Sequence, residues 1–308
     1  MRNKLMLILL FIWIPYFVIV FFKGMGESEQ DSMENIEILQ EKTLIDTRQN
    51  SLYQVVFEDN RGKNNISLEE YLVGILATTI NIDYEPETLK AQAVLLRSTL
   101  LYEMNREGVM KIDAGQFDYT YMTEMSWKKV WKEKYGTYYE KCQKAVNETE
   151  GITLSYRGKI IPGTFCAISA GQTRNGEKSQ YPYLKSVSCS KSVEAADYLN
   201  LHSFPKDTWD SIEIVETDEN GYVNLLRVNG TIVKGEEFRK EYGLESTCMK
   251  ILEGEDYVIE TRGKGHGLGM DQYYANCLAL EDEDVDYMEI LNYFYKNISF
   301  EKTASYKN

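Results

Sequence analysis

The residues best suited to contact a ligand lie in a glycine-rich segment near the C-terminal end of the chain. Residues 263–270 read Gly-Lys-Gly-His-Gly-Leu-Gly-Met, so that four glycines fall within seven positions. Glycine permits a positive φ and lets the backbone approach a bound molecule closely. The segment lacks the final Gly-Lys-Ser/Thr of a phosphate-binding loop. We therefore expect either a loop that contacts a ligand or a tight turn that His266 caps.

Histidines and cysteines could supply metal ligands or a nucleophile, but their spacing is unfavourable. The chain has two histidines, His202 and His266, and five cysteines, and none of them forms an H-E-x-x-H or C-x-x-C motif. A zinc protease is therefore not expected, nor is any metal or cofactor. The cysteines are typical of buried free thiols. The alternatives are a Cys166–Cys189 disulfide, a thiolate site completed by His266, and a Cys166 nucleophile that His266 activates.

The composition is strongly acidic. The 308 residues include 34 Lys plus Arg against 48 Asp plus Glu, which gives a formal net charge of −14. No basic cluster offsets this excess, so nucleic acid is excluded as a partner. Hydrophobic residues make up 43% of the chain. This is enough to build a buried core, and we expect one large domain or two small ones.

The N-terminus carries the pattern of a membrane anchor. Residues 5–22 are uncharged and mostly apolar, and Arg2 and Lys4 precede them. Such a stretch nearly spans a bilayer, and the basic end is expected to stay in the cytoplasm. We predict a single-pass anchor at residues 1–23, a polar juxtamembrane linker at residues 24–49, and an extracytoplasmic domain after it. The alternative is a cleaved signal peptide, whose apolar core is usually shorter.

The first half of the domain shows helical signals. A short strand is expected near residue 55, and the capping box formed by Ser67 and Glu70 opens an amphipathic helix. A second helix is expected from Pro86, with Leu89, Ala93, Leu96 and Leu100 on one face. Residues 127–146 also read as helical.

The second half shows strand signals. Residues 152–161 predict one hairpin, and residues 225–233 predict another around the turn pair Asn229-Gly230. The chain therefore predicts an α+β fold, with a helical N-terminal half packed on a β-rich C-terminal half after one transmembrane helix.

Three blocks of residues follow one another along the chain. The first block reads L-E-E-Y-L-V-G at residues 68–74 and continues as L-K-A-Q-A-V at residues 89–94, with Arg97 after it. The others are a middle block (residues 151–156, Gly171, Thr173 and residues 183–187) and a C-terminal block (residues 243–247 and G-x-G-H-G-x-G-M-x-Q-Y at residues 263–273). In this order the three blocks resemble the stage II sporulation protein D and amidase-enhancer family of cell-wall-directed bacterial proteins. The resemblance covers about residues 50–300 and leaves residues 301–308 as a tail.

The resemblance implies work on peptidoglycan at a membrane. Active members of the family are lytic transglycosylases that cleave glycan strands between N-acetylmuramic acid and N-acetylglucosamine. They act after an amidase has removed the stem peptides, during engulfment of the forespore. The implied partners are glycan strands, the membrane, a sporulation amidase and other proteins of a sporulation membrane complex.

The resemblance also locates the catalytic acid. One glutamate of the family, in an A-x-E-M-P stretch, protonates the glycosidic oxygen and then deprotonates the muramoyl 6-hydroxyl. Counting back eleven residues from Lys90 places it at Thr79, within Ala-Thr-Thr-Ile-Asn. We therefore expect a catalytically silent domain that binds glycan. The alternative is an active transglycosylase with a displaced acid at Asp83 or Glu85, although both residues also suit the positive N-terminus of the second helix.

The residues that the resemblance implies for glycan binding are those that match its blocks. They are Lys90, Gln92, Arg97, Ser169, Gly171, Thr173, His266 and Gln272. Two of them have structural alternatives: Arg97 could pair with Glu69 or Glu70 to tie the helices together, and Gln92 could satisfy buried backbone groups.

Overall fold

The structure is a computed structural model that describes residues 52–59 and 62–303. The predicted anchor at residues 1–23, the linker at residues 24–49 and residues 304–308 of the tail lie outside these ranges. Within them, none of the helices combines the length and the apolar composition that crossing a membrane requires.

The described residues form a mixed α+β fold. The helices are α1 (Leu68–Thr79), α2 (Pro86–Glu107), α3 (Glu124–Trp131), α4 (Tyr135–Glu148), α5 (Gly235–Glu241), α6 (Gln272–Glu281) and α7 (Tyr287–Phe294). The strands are β1 (Gln54–Asp59), β2 (Gly62–Ser67), β3 (Lys111–Asp113), β4 (Ile152–Tyr156), β5 (Lys159–Ile160), β6 (Phe165–Cys166), β7 (Leu199–Phe204), β8 (Ile212–Thr217), β9 (Val223–Val228), β10 (Thr231–Lys234), β11 (Met249–Glu253), β12 (Tyr257–Arg262), β13 (Met270–Asp271) and β14 (Ser299–Lys302). They pair into small sheets with the orders β2-β1-β3, β14-β4-β5, β13-β6, β11-β12-β7 and β10-β9-β8.

Helix α1 begins where the sequence predicts. The hydroxyl of Ser67 accepts a 3.1 Å hydrogen bond from the backbone N–H of Glu70, which satisfies one of the free donors of the first turn. The helix buries Tyr71, Leu72, Ile75 and Leu76. It ends at Thr79, because Ile80 is extended.

Helix α2 is the central element of the fold. Pro86 is its first residue, as predicted, and Gly108 ends it in a left-handed conformation. The predicted face of Leu89, Ala93, Leu96 and Leu100 is confirmed, because all four residues are buried in one core. A second face, which was not predicted, is buried in a different core. Leu96 packs in the core shared with α1 and α4, whereas Leu95 packs in the core shared with β4, α6 and α7.

The two predicted hairpins are confirmed. Strand β4 pairs antiparallel with β5, and β9 pairs with β10 around Asn229 and Gly230, both of which have positive φ. The predicted division of the fold into halves is only partly correct. Most of residues 68–148 are helical, but α5, α6 and α7 lie in the second half, where α6 and α7 cover the second apolar face of α2.

Candidate functional site

A cleft of about 420 Å³ lies between the end of α1 and the start of α6, and we call it the Thr79 cleft. It is lined by Thr79, Arg239, Lys264, Gly265, Gln272, residues 165–167 and residues 243–245. The cleft therefore brings the position of the family's glutamate together with both parts of the C-terminal sequence block.

Thr79 contributes no acid to this cleft. Its hydroxyl lies 3.3 Å from the backbone carbonyl of Leu76, to which it donates, and its own carbonyl accepts a 2.7 Å hydrogen bond from Nε2 of Gln272. An aliphatic alcohol does not ionise near neutral pH, so it cannot act as a general acid. Residue 79 therefore places a hydroxyl, and no proton-donating carboxylate, on the wall of the cleft.

Gln272 and Gln92 hold the inner wall of the cleft. Gln272 is only 4% exposed, and its Nε2 also donates to Oε1 of Gln92 at 3.1 Å. Gln92 is fully buried, and its Nε2 has no hydrogen-bond partner among the described residues. The hydrogen bonds of Gln272 join α6 to both α1 and α2, so this predicted ligand positions the walls of the cleft.

The glycine-rich loop is packed tightly against the protein. A Cβ on Gly269 would lie 1.9 Å from the carbonyl oxygen of Thr164, and a Cβ on Gly267 would lie 2.4 Å from the ring of Tyr222. Both glycines have a positive φ of 75°. The loop is therefore a tight turn, and its residues Lys264 and Gly265 also face the cleft.

His266 caps this turn. Its Nδ1 accepts a 3.0 Å hydrogen bond from the backbone N–H of Leu268. Burial lowers the pKa of His266 to about 4, so the imidazole is neutral at pH 7. Because Nδ1 is the acceptor, the proton is on Nε2. His266 is not among the residues that line the Thr79 cleft.

Ser169 and Thr173 of the predicted middle loop are buried rather than exposed, and glycan binding by this loop stays a prediction. Ser169 and Thr173 are 0% and 1% exposed, and none of Ser169, Gly171 and Thr173 lines the Thr79 cleft. The backbone N–H of Ser169 donates to Oδ2 of Asp271 at 2.8 Å, and the hydroxyl of Ser192 donates to the same oxygen at 2.6 Å. These residues therefore hold the chain around a buried carboxylate, and burial raises the pKa of Asp271.

Arg97 has the structural role that the sequence left open. Its side chain is fully buried and forms a two-pronged ion pair with Glu69, with bonds of 2.8 Å and 2.7 Å. The remaining N–H groups donate to Thr149 and to the carbonyls of Val146 and Ile152. A guanidinium with all of its donors occupied cannot bind a sugar, so Arg97 ties α2 to α1 and α4.

Lys90 also lies away from the cleft lining. Its Nζ is 2.6 Å from a carboxylate oxygen of Glu87 and 2.6 Å from one of Glu148. These bonds raise the pKa of Lys90 against the opposing effect of burial. The lysine therefore pairs α2 with α4.

The two predicted displaced acids lie in the turn between α1 and α2, and neither lines the Thr79 cleft. Asp83 is exposed and accepts a 2.7 Å hydrogen bond from the hydroxyl of Tyr138. Glu85 precedes the first residue of α2, where a carboxylate interacts favourably with the helix dipole. A displaced acid at either position stays a prediction.

Glu245 is a carboxylate in the cleft that sequence reasoning missed. Its Oε2 lies 2.5 Å from Nε2 of His202 and 3.4 Å from the hydroxyl of Thr261, which donates to it. Glu245 is the central residue of Gly-Leu-Glu-Ser-Thr at residues 243–247, a segment whose flanking residues match the family. Its place within this segment could have indicated a site residue. Only the fold shows that Glu245 lies opposite α1.

The cysteines of the described ranges are free thiols, and no Cys166–Cys189 disulfide is formed. Cys166 lines the cleft, but its side chain is buried. Burial and the nearby Asp271 raise the pKa of Cys166 well above its usual value. A nucleophilic cysteine needs a lowered pKa, so the structure gives no support to a Cys166 nucleophile that His266 activates.

The sequence is similar to that of known proteins. The family model described as stage II sporulation protein matches residues 58–156, which include α1 and α2. Stage II sporulation protein D of Bacillus subtilis is 30% identical over 271 residues, which cover 81% of this chain and 78% of that protein. The chain belongs to the stage II sporulation protein D family.

Two further relatives are consistent with this family. Stage II sporulation protein D of Bacillus amyloliquefaciens is 30% identical over 270 residues, or 80% of this chain and 78% of that protein. The amidase enhancer of Bacillus subtilis is 23% identical over 296 residues, or 73% of this chain and 39% of that protein. The resemblance that the sequence blocks indicated is thus confirmed, and membership in this family is consistent with a role in cell-wall remodelling.

Proposed function

We propose that this protein binds peptidoglycan glycan strands in the Thr79 cleft during the cell-wall remodelling of sporulation, and that it does not cleave them. Family membership supports the sporulation role and the cell wall as the place of action. The missing acid at residue 79 supports catalytic silence.

One observation carries the proposal. Among the described residues that line the cleft, Glu245 alone has a carboxylate, and its Oε2 is already engaged by His202. Transglycosylation requires a carboxylic acid that can donate a proton to the glycosidic oxygen and take one back. A cleft with threonine at residue 79 and its remaining carboxylate bound to histidine lacks such a group.

The cleft retains groups that suit a stripped glycan. Hydrolysis of the bond to a stem peptide frees the lactyl carboxylate of muramic acid. Lys264 is half exposed on the cleft wall, and its distance of 3.2 Å from Asp197 leaves a weak surface pair that a ligand can displace. A lysine cation and a carboxylate of the strand are complementary.

The location is part of the same proposal. Residues 1–23 would anchor the protein with its N-terminus in the cytoplasm, and the domain would face the cell wall. A relative that is named an amidase enhancer supports a sporulation amidase as a partner in a membrane complex.

A second candidate function is an active transglycosylase with a displaced acid. The observation in its favour is the presence of Glu245 on the cleft wall, whereas Asp83 and Glu85 do not line it. In this case Glu245 would exchange its contact with His202 for the glycosidic oxygen. The Glu245→Gln variant would then lose product while keeping the shape of the side chain.

Binding to purified strands tests the proposed function. The full-length protein in detergent micelles is mixed with amidase-stripped glycan strands, and the bound fraction is measured after the strands are pelleted. Lys264→Glu should reduce the bound fraction several-fold, because it places a repelling charge in the cleft. Lys185→Glu changes the net charge equally at an exposed position away from the cleft and should leave binding unchanged. Equal binding of all three proteins would overturn the proposal.

A further inference from the structure

A second cavity, of about 450 Å³, lies at the other end of α1 and shares no lining residue with the Thr79 cleft. We call it the aromatic pocket. Its lining comes from β1, from α1 and from residues 113–123, and it includes the rings of Phe57, Tyr71, Phe117, Tyr119 and Tyr121. Its volume is in the range of small-ligand sites.

The aromatic rings around this pocket contact one another. The ring of Tyr121 lies 4.5 Å from that of Phe57 and stacks on that of Tyr71 at 5.3 Å with an angle of 12°. The rings of Phe117 and Tyr119 are also nearly parallel, at 5°. Their side chains are half-buried, apart from Tyr71, which is fully buried. The pocket therefore offers flat aromatic faces to a ligand.

Residues 120–122, which lie on one side of the aromatic pocket, pack directly against helix α1. A Cβ on Gly74 would lie 2.2 Å from the ring of Tyr121, so the ring packs directly on the helix backbone. The carbonyl of Gly74 accepts a 3.3 Å hydrogen bond from the backbone N–H of Met122. The hydroxyl of Thr78 donates to the carbonyl of Thr120 at 2.7 Å. These contacts fix residues 120–122 against the helix.

The hydroxyl of Tyr71 is the group in this pocket that needs a partner. Tyr71 is 0% exposed, and its hydroxyl has no hydrogen-bond partner among the described residues. Burial, together with Tyr119 and Asp113 of the same pocket, raises the pKa of Tyr71 to about 12. The group therefore remains an O–H donor, and an unpaired buried donor is costly.

The lining charges restrict the class of ligand. The charged lining residues are Glu58 and Asp113, and no lysine or arginine is among the described lining residues, so an anion is disfavoured. An ammonium group has no acceptor for the O–H of Tyr71 and would leave it unpaired. A sugar hydroxyl both donates and accepts hydrogen bonds, so it can satisfy the tyrosine and a carboxylate together.

We infer that the aromatic pocket is a second saccharide site, which takes a neutral sugar unit of a glycan. The apolar faces of the sugar ring would lie on the half-buried aromatic side chains. A displacement of the side chains that cover Tyr71 would let a sugar hydroxyl accept a hydrogen bond from the Tyr71 hydroxyl. The inference rests on the proposed function only for the source of the sugar, a glycan strand that the Thr79 cleft also holds. The two sites would then bind one strand at two points along α1 and increase its residence on the protein.

Calorimetric titration with chitotetraose, an uncharged oligomer of N-acetylglucosamine, tests this inference. The full-length protein is held in a detergent that has no sugar headgroup. We expect Tyr71→Phe to weaken binding by roughly three- to tenfold, which is the worth of one hydrogen bond. The same variant should unfold at no lower denaturant concentration than the original protein, because it removes a hydroxyl that is unpaired in the free protein.

A second pair of variants separates this inference from the proposed function. Phe117→Leu keeps an apolar side chain but removes an aromatic face, and it should also weaken chitotetraose binding. Lys264→Glu should leave chitotetraose binding unchanged while it reduces the binding of amidase-stripped strands. If Tyr71→Phe and Phe117→Leu bind chitotetraose as well as the original protein, the aromatic pocket is not a saccharide site, whatever Lys264→Glu does. If those two variants lose chitotetraose binding while Lys264→Glu binds stripped strands as well as the original protein, the saccharide site in the aromatic pocket is supported. The proposal that the Thr79 cleft binds glycan is then overturned.

Discussion

The side-chain amide of Gln272 donates a 2.7 Å hydrogen bond to the backbone carbonyl of Thr79. The two residues are 193 positions apart in the chain, and the bond joins the start of α6 to the end of α1. Together with the 3.1 Å bond to Gln92, it holds three helices at the wall of the Thr79 cleft. The position of residue 79 therefore depends on a side chain that the family resemblance implied to be a sugar ligand.

Removing this amide should loosen the cleft. Gln272→Met keeps the length of the side chain but leaves the carbonyl of Thr79 and the amide oxygen of Gln92 without their donor. We expect a loss of about 1–3 kcal/mol in the free energy of unfolding, measured by urea denaturation, and weaker binding of stripped strands. Gln116→Met, at an exposed position, is the matched control and should change neither quantity. Equal stability of the two variants would contradict the role assigned to Gln272.

The pair formed by Arg97 and Glu69 should be essential for folding rather than for binding. Both side chains are almost completely buried, at 0% and 3% exposure. Arg97→Met leaves the Glu69 carboxylate buried and unpaired, so we expect a loss of about 3–5 kcal/mol in the free energy of unfolding. Glu69→Met should lower the free energy of unfolding by a similar amount, because it leaves the guanidinium of Arg97 buried without its carboxylate.

The double variant distinguishes pairing from independent effects. Glu69→Met combined with Arg97→Met removes both buried charges, so its loss of unfolding free energy should be much smaller than the sum of the two single losses. Additive losses in the cycle would show that the two side chains do not stabilise the fold as a pair.

His266 should make stability depend on pH. The pKa of His266 in the folded protein is about 4, below the ordinary value of 6.5. Between pH 6.5 and pH 4, the imidazole therefore binds a proton in the unfolded chain but stays neutral in the folded protein. The contribution is fully present above pH 6.5 and is lost as the pH falls toward 4. His266→Asn retains an acceptor for the N–H of Leu268 and should flatten this part of the stability profile.

The measurement is the free energy of unfolding at a series of pH values from 7 to 4.5. The charged groups near the imidazole are Glu236, Arg239, Arg174 and Lys240. His266 helps to lower the pKa of Glu236, so a Glu236→Gln variant is measured alongside to separate the titration of that carboxylate. Parallel profiles for the original protein and His266→Asn would show that the imidazole of His266 is not the group that titrates.

Local patterns predicted the elements that local interactions stabilise. The cap at Ser67, the first turn at Pro86 and the hairpin around Asn229-Gly230 each depend on residues within a few positions of one another. The spacing of the apolar residues in α2 also predicted the face of Leu89, Ala93, Leu96 and Leu100, which is buried in one core. The structure buries a second face because α6 and α7, almost 200 positions further along, pack against it.

The candidate site was predictable only in part for the same reason. The replacement at Thr79 is visible by counting from Lys90, and the glycine-rich loop is visible from its composition. Glu245 was missed because nothing in its neighbourhood shows that it faces α1. Ser169 and Thr173 look like an exposed loop by composition, yet hydrogen bonds to distant partners, Asp271 and Val187, bury them.

The most direct test is the release of 1,6-anhydro-muramic ends from amidase-stripped glycan strands by the full-length protein and by its Thr79→Glu variant. Thr79→Gln is the matched control, because it has the same size as the glutamate variant but no acid. We predict that the original protein and Thr79→Gln bind strands without releasing anhydro ends, and that Thr79→Glu releases them. Release by the original protein would contradict catalytic silence, and loss of that product in Glu245→Gln, Asp83→Ala or Glu85→Ala would identify the displaced acid.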